Sequence, residues 1–468
     1  MEDVSLYLIA RRFRRRIKSK EKKRERNRVK EKELFLYRII RYRGRLIKDI
    51  NESLYAFMPL HFLYLITCEN SPFYYKKLEN KNTQSLCRLQ IPKKFSILSN
   101  PEPSYKVLKQ IVEAITFQNC NKLHLDYKDC EFCDLETQVF LDSILKSFDR
   151  YAKMCNRIKL SHFVSIKEIG GRNIHKESLQ RMINSVGSPV ELINRQIHFK
   201  GVEAFRLRHI DSRDVTKLKF EGQKEMDSTD LIDYVENCLK RFNKTLTQDA
   251  KNSLGTILGE IISNAEEHST LNNRYLIGYM EETSKEQSHY GILNIVIMNT
   301  GKTIYERFKY PDKDENINNE CVNRMQELSD KFTKKGLFSA NEFTEENLWT
   351  LYSLQGGVSI VPKNIRLRGS GTISFIKSFF SLKGSTDVDN VSRMSIISGN
   401  TRIDFDGSYQ ISETRDDNNR KLERMTFNRT NSLYDKPDSK YVYTTKYYFP
   451  GTLISAQLLI NDSDVEKI

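Results

Sequence analysis

Residues 254–268 read Leu-Gly-Thr-Ile-Leu-Gly-Glu-Ile-Ile-Ser-Asn-Ala-Glu-Glu-His. Glu260, Asn264 and His268 recur at steps of four; at 100° per residue they drift slowly around a helix and form one polar stripe. Ala250, Leu254, Ile257, Leu258, Ile261, Ile262 and Ala265 follow helical spacing on a neighbouring face. The acid and the amide therefore stand at the border between core and surface. A carboxylate there can polarise a water, and an amide oxygen one turn on can ligate a hard cation such as Mg²⁺. By itself such a stripe is the ordinary solvated face of a helix. The sequel along the chain changes its meaning.

First comes a β-branched run, Ile292-Leu-Asn-Ile-Val-Ile-Met298, ending in Asn299-Thr300-Gly301. Arg368-Gly369-Ser370-Gly371-Thr372 then opens the amphipathic run Ile373–Phe380. Last comes Phe449-Pro450-Gly451-Thr452, leading into an apolar strand that ends at Ile460. Gly369 and Gly371 sit where a loop becomes a helix, so backbone amides and the helix N-terminus can face phosphates. Arg368 adds a fixed positive charge with a planar donor fork. Gly301, with no Cβ, lets the chain pass close to a ligand.

These four elements, in this order, resemble the nucleotide-binding boxes of the GHKL ATPases. That family includes gyrase, the ninety-kilodalton heat-shock chaperone, mismatch-repair ATPases, sensor histidine kinases and anti-sigma-factor kinases. The form Glu260-x-x-x-Asn264-x-x-x-His268 is closest to the anti-sigma kinases. The resemblance covers about residues 228–460 and implies a Bergerat-type two-layer α/β sandwich over residues 221–468. It implies ATP and Mg²⁺ as ligands, with Glu260 as general base and Asn264 as metal ligand. Asn264, His268, Asn299, Gly301, Arg368, Gly369, Gly371, Thr372 and Thr452 would surround the nucleotide. The interval 302–368 would be the ATP lid, and its length suits a lid or a set of small elements. The stretch Leu348–Leu354, with Trp349, reads as packed structure inside it. Two positions depart from the family pattern. Asn299 stands where Asp is usual, so the amide offers a donor as well as an acceptor, and Thr303 stands where a second glycine is usual.

The chain has 468 residues, enough for two or three domains, with 38% hydrophobic and 29% charged residues. Its net charge of +15 is concentrated: residues 1–50 hold 19 Lys/Arg against 7 Asp/Glu, a net of +12. Residues 1–60 read as a basic, helical or partly disordered arm. Its stretch 11–45 suits nucleic acid, an acidic protein or an anionic surface, although few aromatics interleave it. The opening Met1-Glu-Asp is acidic and shows no leader pattern. The apolar region Leu54–Thr67 contains Pro59 and His61 and falls short of spanning length, so a buried element and no transmembrane segment is expected. Cys130-Glu-Phe-Cys133 lacks a second pair at zinc spacing, and reduced thiols in a cytoplasmic protein follow.

Residues 61–220 read as a small α/β module. It has strands near Phe95–Leu98 and at Lys122–Asp126, and helices near Tyr105–Ile115 and Leu135–Phe148. This order faintly resembles a STAS domain, although Leu135 and Glu136 follow Asp134 where a phosphorylatable serine is usual. Turn chemistry marks Gly170-Gly171 and Ser185–Pro189, and a helix at Leu231–Phe242 with Ser228 or Thr229 as its cap opens the next domain.

No histidine has the neighbourhood of a kinase phosphoacceptor, and only eight residues follow Ile460, too few for a transducer domain. The expectation is an ATP-binding regulatory switch, an ATPase or serine/threonine-type protein kinase with a protein partner. A catalytically weak, nucleotide-dependent interaction module is the alternative, as is a nucleic-acid-associated ATPase of a bacterial defence or stress system. The oligomeric state stays open, a homodimer among the options.

Overall fold

The computed structural model describes residues 58–76, 85–116, 120–157, 168–190, 203–211, 222–271, 273–282, 289–311, 318–333, 342–356, 358, 371–383, 390–415 and 421–468. Leu60 already opens a helix, and residues 1–57 of the expected basic arm (1–60) lie outside the described residues. So do Arg368 and Gly369, and so do the side chains of Glu267, His268 and Thr372. The fold is mixed α/β, with both parallel and antiparallel sheets.

Its centre is a sheet of five strands: β6 (Arg208–Asp211), β8 (Asn273–Glu282), β9 (His289–Thr300), β10 (Arg393–Phe405) and β13 (Val442–Asn461). They lie in the order β10-β13-β9-β8-β6, each neighbour antiparallel. The run Ile292–Met298 forms the body of β9, and Ile295, Val296, Ile297 and Met298 are all buried, so both faces of this strand are covered. Two short ribbons flank the sheet: β7 (Lys244–Leu246) pairs with β14 (Val465–Lys467), and β11 (Ser412–Arg415) with β12 (Lys421–Arg424).

On one face lie α5 (Gln223–Leu239), α6 (Gln248–His268) and α10 (Gly371–Lys383). Thr247 caps α6 by accepting from the Ala250 amide, and all seven apolar residues of the expected stripe are buried. Helix α5 begins eight residues before the expected Leu231 and ends at Leu239, with a 3₁₀ turn to Phe242. Ser228 and Thr229 therefore lie inside it, and the Thr229 hydroxyl donates back to the Glu225 carbonyl.

The other face is covered by the preceding module. Its parallel sheet joins β1 (Cys87–Gln90), β3 (Lys122–Asp126) and β5 (Glu168–Arg172), in that order. Helices α1 (Leu60–Thr67), α2 (Pro101–Thr116), α3 (Leu135–Arg157) and α4 (Glu177–Val186) pack from it onto the central sheet. Phe140 of α3 meets Phe449 of β13 with ring centroids 5.3 Å apart, and Tyr105 of α2 stacks on Tyr447 at 4.8 Å. The expected two-layer unit thus gains a third layer from the module before it.

Three expectations change. Strand β6 lies before residue 221 yet pairs with β8, so the central sheet crosses the expected domain boundary. Gly170-Gly171 is not a turn but the middle of β5, where Gly171 leaves room for the side chain of Val190: a Cβ there would lie 2.5 Å from its Cγ1. The strand expected near Phe95–Leu98 is the short β2 (Lys94–Phe95), paired with β4 (Phe132–Cys133). The apolar stretch ending at Thr67 is α1, a buried helix, and among the described residues no helix is long and apolar enough to cross a membrane.

Candidate site at the end of the central sheet

The antiparallel register brings the separated motifs together. Thr452 of β13 faces Asn299 of β9, and Ser398 of β10 faces Thr452 on the other side. Two residues further along the same face, Ile297, Ile454 and Ile396 form a second row across the same three strands. All of these residues but Ser398 line a narrow cleft with room for about one water. Its walls are Asn264 and Ala265 from α6, Ile304, Phe375 of α10, and Ser353 and Leu354. No charged side chain lines it among the described residues.

Local chemistry explains the shape. The Ser269 hydroxyl accepts the Asn273 amide at 2.9 Å, and the Asn273 side chain exchanges two bonds with the backbone of Thr300, at 3.0 and 3.2 Å. That fixes where β9 ends beside α6. Gly301 follows with φ +144°, and a Cβ there would lie 2.5 Å from the Thr270 hydroxyl. Gly451 opposes Thr300 with φ +146°, where a Cβ would collide with the Asn299 carbonyl oxygen. Positive φ and a close neighbour, a side-chain hydroxyl at Gly301 and backbone at Gly451, favour glycine at both positions, and neither lines the cleft. Thr303 and Glu306 together form the capping box of α7 (Ile304–Lys309), each side chain bonding the other's backbone amide, at 2.9 and 3.1 Å.

Asn299 is 1% exposed, and both ends of its amide are bound to backbone. Its Nδ2 donates to the Ala265 carbonyl at 2.8 Å, and its Oδ1 accepts the Thr452 amide at 3.1 Å. The Ser398 and Thr452 hydroxyls lie 3.0 Å apart, and Ser398 accepts the first backbone amide of α7, that of Ile304, at 2.9 Å. Asn264 is half-buried, and its Nδ2 is shut from solvent inside the cleft with no hydrogen-bond partner.

Other expected residues stand apart. Glu260 is half-buried one turn before Asn264 and does not line the cleft. Gly371 is the first described residue of α10. His268 ends α6, and its side chain, like that of Thr372, lies outside the described residues. Arg368 and Gly369 also lie outside them. The described part of the interval 302–368 is helical: α7, α8 (Asn319–Thr333) and α9 (Glu345–Ser353). Trp349 of α9 is buried and donates to the Ser329 hydroxyl of α8 at 3.1 Å. The Glu346 carboxylate takes the Asn400 backbone amide at 2.8 Å, tying α9 to β10, and burial pushes that carboxyl up to about 7.

Behind α6, a charge cluster is buried. Arg274 of β8, 1% exposed, meets Asp227 of α5 at 2.8 Å and Glu266 of α6 at 2.6 Å. Burial still holds the Glu266 carboxyl above its ordinary value despite the guanidinium. No group of three His, Cys, Asp or Glu able to hold a metal ion occurs among the described residues.

Sequence reading missed Ser398, Ser353, Phe375 and the isoleucine row. Phe375 falls in the amphipathic run after Gly371, which was a usable signal. The register that aligns Ser398 with Thr452 leaves no local trace. No protein-family model, no curated protein and no solved structure matches the chain.

Proposed function

We propose that this protein is a GHKL-type ATP-binding switch whose cleft takes the base of Mg·ATP. One observation carries the reading. Asn264, Asn299 and Thr452, singled out in three separated motifs, line one cleft between α6 and the end of β9 and β13. An uncharged cleft with a few fixed polar groups has the chemistry that a heterocycle needs, and it must widen to seat one. The start of α10 at Gly371 is a helix N-terminus, where backbone amides can face phosphates.

Mg²⁺ held with a nucleotide commonly keeps several waters and takes only one or two protein ligands. A single amide oxygen from Asn264 fits that demand, and the unbonded state of its Nδ2 leaves the amide free to turn. When bound, the ion would neutralise phosphate charge. The chain's own contributions are the sheet floor that seats the base, the amides of the α10 start, and Glu260 one turn from Asn264. Glu260, as a carboxylate, can accept a proton from water or from a protein hydroxyl. The result is ATP hydrolysis or transfer of the γ-phosphate to a protein.

A second reading, a catalytically weak interaction module, draws on the position of Glu260 outside the cleft lining. Incubation with γ-labelled ATP separates the two. Label in free phosphate or protein, lost in Glu260→Ala, supports the enzyme. Retained ATP with no transfer supports the module, and no retention of ATP overturns both.

A further inference from the structure

We infer that the wide acidic cleft between the central sheet and the preceding module is the docking site of the chain's own basic segment, residues 11–45, bound in cis. The cleft lies beside the start of α3 and the ends of β8 and β10, and its free volume inside the mouth is about 480 Å³. That is room for several side chains. Six carboxylates line it, those of Glu131, Asp134, Glu136, Glu281, Asp404 and Asp406, against the two arginines Arg393 and Arg402. Both arginines are already engaged. Arg402 donates to Asp404 at 2.9 Å and to the Leu98 carbonyl at 3.0 Å, and Arg393 donates to Gln457 at 2.9 Å. Glu131 pairs with Lys93 at 3.2 Å. Asp134, Glu136, Glu281 and Asp406 have no cation within ion-pair distance among the described residues.

Deep in the cleft, Asp134 accepts the Thr137 backbone amide at 2.8 Å and Glu136 accepts the Ser455 hydroxyl. Both donors are neutral and leave the charges uncompensated. Burial, with Asp134 beside it, pushes the Glu136 carboxyl up to about 7, and a cation arriving from outside would reverse that shift. The chain carries such cations itself: residues 11–45 hold 18 Lys/Arg against 4 Asp/Glu. Their first stretch, Arg11-Arg-Phe-Arg-Arg-Arg-Ile17, sets Phe13 and Ile17 among guanidinium groups, and the cleft sets Leu179, Met182 and Phe405 among its acids. The planar fork of arginine matches the edge of a carboxylate. The segment is also within reach. His61 meets Tyr275 of β8 at 3.0 Å, and Glu281 stands six residues along the same strand, about 20 Å away. Forty residues separate Lys18 from Met58, a span of about 60 Å even at the rise of a helix. Such a tether holds the segment at a local concentration on the order of millimolar, so a modest affinity suffices.

The experiment is carbodiimide cross-linking of the full-length protein, mixed from equal parts of light- and heavy-nitrogen chains and read by mass spectrometry. Links from Lys18, Lys20, Lys22 and Lys23 to Glu131, Glu281 and Asp406 are expected. They should be about tenfold more frequent than links to Glu320 and Glu466, carboxylates exposed elsewhere, and should join like-labelled chains only. Neutralising the deep pair, Asp134→Asn with Glu136→Gln, should lower them about fivefold, as should about 0.5 M salt. Asn in place of Asp134 keeps a good cap for α3. If a thermal melt shows that variant unfolded, Glu281→Gln with Asp406→Asn, both exposed in the parent, takes its place with Glu131 as the readout. Links between unlike labels would make the occupant the segment of a second copy and overturn docking in cis. No preference over Glu320 and Glu466, or a preference unmoved by neutralisation, would overturn the assignment of the cleft to this segment.

Discussion

The two faces of the central sheet use polar residues in opposite ways. On the cleft face, Ser398, Thr452 and Asn299 form a row whose hydrogen bonds run mainly to backbone: Gly451, Ile304, Ala265 and Thr452 itself. On the other face, Arg393, Gln457 and Asn294 form a row bonded side chain to side chain, at 2.9 and 3.1 Å. That second row lines a wider cleft of about 1490 Å³, mouth included, between the sheet and the preceding module. Its lining includes six carboxylates, those of Glu131, Asp134, Glu136, Glu281, Asp404 and Asp406, against Arg393 and Arg402. One face is uncharged and pinned by the main chain. The other is charged and pinned by neighbours. A floor pinned by backbone keeps its shape when a ligand arrives, whereas a side-chain network can rearrange around what it meets.

The sharpest way to break this contrast is to strike the charge buried behind the cleft face. Arg274→Met leaves Asp227 and Glu266 without their shared cation and should cost about 3–5 kcal/mol in urea unfolding. A cost below about 1 kcal/mol would mean that the cluster is not needed by the fold. Next comes Gly451→Ala, which forces β13 away from the Asn299 carbonyl; about 3 kcal/mol and loss of nucleotide binding together are expected. Retained binding at parental affinity would show that the floor does not depend on that approach.

The module face should answer to pH. Asp142 of α3, 1% exposed, accepts from Gln138 at 2.9 Å and from Ser188 at 2.6 Å, and burial pushes its carboxyl up to about 7. An unfolded Asp titrates near about 3.9, so the native state alone keeps its proton between about pH 4 and 7. The stabilisation is present below about pH 4 and is lost as pH rises through about 7. Between about pH 5 and 8 the parent should lose about 3 kcal/mol relative to Asp142→Asn, with nucleotide affinity following neither curve. Parallel stability curves would discard the assignment. The smallest effect sits at the cleft wall. Asn264→Ala should weaken Mg²⁺-dependent ATP binding about tenfold, through loss of one ligand, without shifting the melting temperature. Calorimetry with and without Mg²⁺ checks it, and an equal loss in both would remove the metal from the argument.

What the sequence disclosed follows the range of the forces involved. The α6 stripe was legible because periodicity is local, and all seven apolar residues are buried as the spacing requires. The end of β9, the start of α10 and the body of β13 were legible for the same reason. Strand β6 was not, since Arg208–Asp211 is short and polar and becomes a strand only by pairing with β8. The need for Gly301 and Gly451 was visible as glycine but not as cause. Each is favoured by an atom brought from elsewhere in the chain, the Thr270 hydroxyl for one and the Asn299 carbonyl for the other. The departures at Asn299 and Thr303 looked like losses. In the fold each makes two specific bonds.

Strand β13 lies between β10 and β9 yet follows both in the chain. During synthesis the two strands that will flank it wait with unsatisfied edges while more than thirty residues separate β10 from its arrival. Edges of that kind invite wrong partners. The polar row exists only once β13 slides in, so no ligand of that floor can assist folding before the last strand is home. Newborn chains of this protein should therefore lean on chaperones late, and by the same logic a ligand added during refolding should slow unfolding without speeding the main folding phase.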